Sequence, residues 1–307
     1  MAFTAKDVQA LREKTGAGMM DCKKALVETD GDMDKAVDFL REKGLAAAAK
    51  KASRVAAEGT VAAYSDATTG ALVELNCETD FVAKGEPFVN LAKKVVETVA
   101  SAKPADVDAL LATKALGSDK TVEEEVQEVF LALRENMKVR RFAIVEGHTA
   151  TYIHAGGSVG VIVAFDTDDA TAAKDEFVAM GKNVAMQVAA MNPAYLDDAS
   201  VPAEVLEKEK GILIAQMKED PKMANKPEQV LAKIVEGKVG KFYKENCLVN
   251  QDFVRSDLFD GTVSGYVASV AKALGAEIKL ASFVRFEKGE GIQKKEDNFA
   301  GEVASMM

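Results

Sequence analysis

The side chains in this sequence best equipped to hold a metal or attack a substrate are two histidines, His148 and His154, and three cysteines, Cys22, Cys77 and Cys247. The histidines flank a predicted strand, with no HExxH-type ligand spacing around them. The cysteines are odd in number and far apart, so they form neither a disulfide framework nor a zinc-ligand pair and read as reduced, mostly buried thiols. Asp166, Asp168 and Asp169 cluster at a strand end, but without the EF-hand spacing and its closing Glu they make a solvated turn. Phosphate-cradling loops of the GxxxxGK[ST] and GxGxxG kinds are missing, as is GxSxG, and Gly156-Gly157-Ser158 between two strands reads as a hairpin turn before an anion nest. These patterns predict no metal, no cofactor and no covalent catalysis, so the chain is expected to bind a partner and not to be an enzyme.

Charge narrows the choice of partner. Lys and Arg number 39 against 49 Asp and Glu, a net charge of −10 that works against counterion-release binding, so no direct nucleic-acid partner is expected. The longest apolar stretches, such as Val159 to Phe165, fall far short of the roughly 18 to 20 residues that span a bilayer, which predicts no membrane partner. The opening residues lack a basic stretch leading into an apolar segment and lack Arg-rich transit character, so a cytoplasmic location is expected. At 307 residues, 48% of them hydrophobic, the chain has room for two or three cores.

The elements follow from periodicity and punctuation. Residues 4 to 44 carry three short helical patterns: one from about Thr4 to Lys14, one bearing Met19, Cys22, Ala25 and Leu26, and one bearing Met33, Ala36, Val37 and Leu40. Asp32 takes the N-cap of the third and Gly44 is placed to end it. An alanine-rich stretch with Lys50, Lys51 and Arg54 reads as a helical or partly flexible connector, which closes a first unit at 1–55.

The chain then repeats itself. Glu58, Gly59, Ala62 and Tyr64 match Glu146, Gly147, Ala150 and Tyr152, and Asp80, Ala83, Phe88, Val89, Lys93, Val95 and Val99 match Asp169, Ala172, Phe177, Val178, Lys182, Val184 and Val188. Each copy reads strand, turn, strand, loop, helix, with an apolar stripe on the helix to cover a small sheet. Two core subdomains are expected, 56–145 and 146–286. Prolines within 202–245 divide a helical pattern into a projecting antiparallel hairpin inserted in the second. A helix near Val263 to Leu274 and a strand at Glu277 to Phe286 return the chain to the core, and 287–307 forms a C-terminal module ending in a short helix, Asn298 to Ser305. The fold class is α+β: a small three-helix bundle, two related subdomains with small antiparallel sheets, the hairpin and a helical C-terminal module. The apolar hairpin could equally serve a homodimer.

Two stretches are more particular than composition explains. Residues 11–26, Leu-Arg-Glu-Lys-Thr-Gly-Ala-Gly-Met-Met-Asp-Cys-Lys-Lys-Ala-Leu, resemble the amino-terminal signature of the elongation factor Ts family, and residues 74–84, Glu-Leu-Asn-Cys-Glu-Thr-Asp-Phe-Val-Ala-Lys, resemble its central one. Glu135-Asn136 with Arg140-Arg141, Tyr152 to His154, Lys226 to Glu228 with Ile234 to Lys238, and Arg285 to Ile292 extend the likeness along the whole chain in order.

The resemblance implies a guanine-nucleotide exchange factor whose partner is elongation factor Tu, with a bundle similar to a ubiquitin-associated domain. It assigns Thr79, Asp80, Phe81 and Val82 to a loop that wedges into the partner's GTPase domain and disturbs its magnesium site. Met19 and Met20 would brace another helix of that domain, and His154 would stand near the partner or serve as a satisfied structural histidine. Leu133 and Arg134 fall where some relatives carry Ile-Gly at the partner surface. The repeat supports a special role for Phe81: the second copy has Ala170 and Thr171 where the first has Phe81 and Val82, so the shared subdomain design does without the ring. The competing reading is an adaptor or chaperone-like binder that leaves the partner's nucleotide affinity unchanged.

Overall fold

A computed structural model describes residues 3–219, 226 and 228–293. The bundle is α1 (Ala5–Thr15), α2 (Met19–Glu28) and α3 (Met33–Lys51). Thr4 opens α1 through a capping box with Asp7, Gly16 closes it at φ 67°, and the Asp32 carboxylate caps α3 by accepting from the amides of Asp34 and Lys35. Leu11, Cys22, Leu26, Ala36 and Leu40 fill the space between the three helices.

Gly44 does not end the third helix, which runs on to Lys51. A Cβ built on Gly44 would overlap Leu131 of a neighbouring helix, so this glycine permits close helix packing and is not a C-terminal stop. The connector therefore begins as the last turns of α3, laid against the first subdomain.

That subdomain comprises β1 (Glu58–Ser65), β2 (Thr69–Cys77), α4 (Asp80–Ala83), α5 (Glu86–Ala102), α6 (Val107–Ala112), α7 (Val122–Leu133) and β3 (Lys138–Glu146). The second runs β4 (His148–His154), β5 (Val159–Asp166), α8 (Asp169–Ala172), α9 (Asp175–Met191), α10 (Ala203–Glu219), α11 (Glu228–Asn246), α12 (Val263–Leu274) and β6 (Lys279–Glu287). Each copy is thus a hairpin and a long helix, as the repeat predicts, with a one-turn helix where the sequence leads one to expect a loop. A later strand completes each antiparallel sheet, in the orders β1-β2-β3 and β4-β5-β6. Both sheets also break register at corresponding places, between Glu74 and Leu75 and between Ala164 and Phe165.

The sheets pack face to face through Val61, Leu72, Ile162 and Phe286. Gly160 lies at this contact, where a Cβ would collide with Val61. On the outer face of the first sheet, Phe88, Leu91, Val95 and Val99 of α5 cover Ala71, Val73 and Leu75. On the outer face of the second, Phe177, Met180, Val184 and Val188 of α9 cover Val161, Val163 and Phe165. The result is a helix–sheet–sheet–helix stack whose middle layer alternates sides at every strand residue.

Helices α10 and α11 pair through Leu213, Met217, Val235 and Val239. Backbone bonds from Ala194 and Tyr195 to Asn246, and from Leu248 to Tyr195, staple the two ends of this excursion together, as an insertion requires. After β6 the chain turns back over the first sheet. Lys288 pairs with Glu58 at 2.6 Å, and the Gly289 amide donates to Glu74 at 2.7 Å. Glu74 is fully buried and also binds Arg140 (2.9 Å) and Arg141 (2.6 Å). Burial pushes its carboxyl up, but the Gly289 amide, the two guanidinium groups and Asn76 outweigh that and hold it below the usual carboxylate range. The C-terminal helix expected at Asn298 to Ser305 lies outside the described residues.

Candidate functional site

The candidate site is built where β2 ends. Cys77 is the last buried residue of the strand, and its thiol donates to the Thr79 carbonyl at 3.1 Å. Burial, reinforced by the charge of Glu135, pushes this thiol up to about 12, so it stays protonated and structural. Thr79 then caps the single turn of α4, its hydroxyl accepting from the Val82 amide at 3.3 Å. Val82 and Ala83 point into the first core, while Phe81 points out and is 85% exposed. An aromatic ring left in water forfeits about 1.5–3 kcal/mol of burial.

The turn is braced from outside. Glu135, just past the end of α7, accepts from the amides of Glu78 (3.1 Å) and Thr79 (2.9 Å) with one oxygen and from the Thr79 hydroxyl (2.6 Å) with the other. Glu78 answers by accepting from the Asn136 amide at 2.7 Å and pairing with Arg54 at 3.3 Å. Asp80 is exposed and forms an ion pair with Lys84 at 2.7 Å, whose hydrogen bond and charge hold the Asp80 carboxyl below its ordinary range. The site therefore offers one ring flanked by a carboxylate and an ammonium, on a backbone tied at both ends.

The other residues singled out from the sequence divide. Met19 (46% exposed) and Met20 (72% exposed) open α2 on the bundle surface, and neither belongs to its core. Leu133 packs partly into the first core. Arg134 sits at the C-cap of α7 with φ 59°, a left-handed position that glycine occupies without strain, and its guanidinium pairs with Asp21 at 2.5 Å. His154 is exposed at the end of β4, on the other sheet, with its Nδ1 3.1 Å from the Tyr152 hydroxyl. Val82, grouped with the loop from sequence, is 6% exposed and anchors the turn from within. Sequence reasoning missed the clamp. Glu135-Asn136 stood out only as a matching pair, because nothing local shows that Glu135 reaches back to Thr79.

Among the described residues no three His, Cys, Asp or Glu side chains converge where a metal ion could sit. No described helix is long and apolar enough to cross a membrane. Fold and site together define a doubled α+β protein that displays one aromatic side chain from a braced turn.

The family model for Elongation factor TS matches residues 78–290. Elongation factor Ts of Clostridium perfringens strain SM101 is 50% identical over 309 residues, with 99% of each chain covered. The Clostridium tetani protein of that name is 49% identical over 311 residues, again covering 99% of each. That of Syntrophotalea carbinolica is 47% identical over 309 residues, covering all of this chain and 99% of its own. The chain belongs to the elongation factor Ts family and is a factor of translation elongation.

Proposed function

We propose that this chain is the guanine-nucleotide exchange factor for elongation factor Tu: it binds the GDP-bound form, displaces magnesium and GDP by inserting the Thr79–Val82 turn, and leaves when GTP binds. It does so as a cytoplasmic protein and makes or breaks no covalent bond. The observation that carries the reading is Phe81, 85% exposed on a turn whose next two residues are buried. A rigid ring held this way can enter a pocket on a partner without first losing conformational freedom.

The chemistry follows from magnesium's demand for near-ideal octahedral geometry, which makes small displacements of its ligands costly. Phe81 supplies the displacing volume, and Asp80 supplies a charge that pairs with groups the displacement frees. Met19 and Met20 provide a second, adaptable contact from the bundle. Coupling is reciprocal: whatever factor the protein takes from nucleotide affinity, nucleotide takes from its own. A thousandfold weakening needs only about 4 kcal/mol, within reach of one protein interface.

The test is release of labelled GDP from elongation factor Tu. Wild type is expected to accelerate release and Phe81→Ala to lose most of that acceleration while binding persists. A basal release rate unchanged by wild type overturns the exchange reading and leaves an adaptor.

A further inference from the structure

Two surfaces in this reading, the start of α2 and the α4 turn, lie in different units of the fold, and nothing in either unit alone sets their relation. One short segment touches both. Arg134 pairs through its guanidinium with Asp21, the residue after Met20, at 2.5 Å, and its carbonyl accepts from Lys51 at the end of α3. Glu135 holds the amides of Glu78 and Thr79 and the Thr79 hydroxyl, two residues before Phe81. Asn136 donates from its backbone to Glu78 and from its side chain to the Arg54 carbonyl at 2.8 Å in the connector. The backbone here is specialised too: Arg134 holds φ 59°, which turns the chain sharply out of α7 so that consecutive side chains reach opposite ways.

We propose that Arg134–Asn136 is a positioning strut that fixes the Met19/Met20 end of the bundle and the Phe81 turn in one preset arrangement, so that both meet elongation factor Tu as a single surface. The proposal rests on the reading of Phe81 as a partner contact. It adds that affinity depends on Glu135, which, unlike Arg134, is not itself assigned to the partner surface. If the competent arrangement is populated nearly all the time, apparent affinity equals intrinsic affinity. If the strut is cut, apparent affinity falls by the fraction still competent, while the bound state, once reached, is the same. Glu135 acts through charge-assisted bonds to backbone donors, which are stronger than neutral ones.

The experiment measures labelled-GDP release from elongation factor Tu against concentration of the full-length factor, alongside amide hydrogen exchange of the free factor. Glu135→Ala is expected to raise the half-saturating concentration about tenfold and to leave the plateau rate within about twofold. Glu135→Gln, which keeps a neutral acceptor, falls between Glu135→Ala and wild type, and Arg134→Ala raises half-saturation about threefold. In the free factor, Glu135→Ala speeds exchange at the Glu78 and Thr79 amides about tenfold or more and leaves the α5 amides unchanged.

Unchanged protection at Glu78 and Thr79, or unchanged half-saturation in Glu135→Ala, overturns the strut. So does a plateau that falls together with protection across the whole first subdomain, because that is loss of fold. Failure of Phe81→Ala to slow release overturns the reading of Phe81 as a partner contact instead, and the amide measurement on the free protein still decides whether the clamp exists.

Discussion

The turns α4 and α8 occupy the same place in the two halves, and they differ at the residue proposed to enter the partner. Both are single turns after the middle strand of a sheet, both open on a side-chain cap (Thr79 and Asp168), and both bury their third residue, Val82 and Thr171. At the second residue one has Phe81 and the other Ala170, and both point into solvent. The fold is indifferent to the side chain there, which supports the proposal that the ring in the first copy serves a partner. Their bracing differs in the same direction. The second turn is capped from within, with the Asp168 carboxylate accepting from the Thr171 amide (2.9 Å) and hydroxyl (2.7 Å), and its Asp169 meets His148 Nε2 at 3.2 Å. The first is gripped by a carboxylate from a distant segment, which makes it stiffer than a one-turn helix needs to be.

The largest contrast between the halves is electrostatic. At the register break one sheet carries buried Glu74 and the other Ala164. Glu74→Ala should destabilise the protein by about 3 kcal/mol, below the full value for a buried pair because Arg140 and Arg141 both reach solvent. Urea unfolding measures it, and a loss under about 1 kcal/mol would show that the arginines are satisfied elsewhere. Glu74 has its folded pKa below the ordinary glutamate value of 4.5, so its stabilisation is present above that pH and is lost as pH falls through the folded value. The acid limb of the stability profile should accordingly flatten in the variant.

Exchanging the identities of the two turns sharpens the comparison next. Phe81→Ala should remove about 2 kcal/mol of coupling, roughly thirtyfold in GDP release, and adding Ala170→Phe should restore none of it. Recovery in the double variant would mean that ring area matters and location does not. Third, Val82→Ala should lower unfolding free energy by about 1–2 kcal/mol through a small cavity under the turn, with nucleotide release slowed less than by Phe81→Ala. The reverse ranking would make Val82 the contact.

The smallest effect concerns the strand ends, buried Cys77 in one sheet and exposed Asp166 in the other. With its thiol pushed up to about 12, Cys77 should alkylate at pH 8 roughly a thousandfold more slowly than a free thiol. Its folded pKa is raised, so its contribution is whole below the ordinary thiol value of 9.0 and is lost as pH rises from there toward about 12. Mass spectrometry after brief labelling decides the matter, and rapid modification of native protein would mean that the strand end opens.

Much of this was legible because local rules applied. Asp32 caps a helix, the matched stripes of α5 and α9 cover sheets, and Gly156-Gly157 turns a hairpin. Gly44 was misread because a glycine that ends a helix and one that lets another helix approach look alike in sequence; only Leu131 tells them apart. The face-to-face packing of the sheets and the Glu135 clamp were invisible for one reason: both join segments far apart in the chain, and periodicity carries no information about which distant residues meet. Phe81 is singled out by the family resemblance, and the contrast with Ala170 in the second copy supports its exposure.

The return of the chain over the first sheet has a consequence for how the molecule is made. Glu74 receives one of its four donor groups, and Glu58 its partner Lys288, from residues 288 and 289, synthesised more than two hundred positions later. Until those residues are made, Glu74 lacks the Gly289 amide, and the middle strand of the second sheet still lacks β6. Completion has to wait for nearly the whole polypeptide, so late, slow closure of distant loops should limit the rate at which a newly made molecule becomes competent.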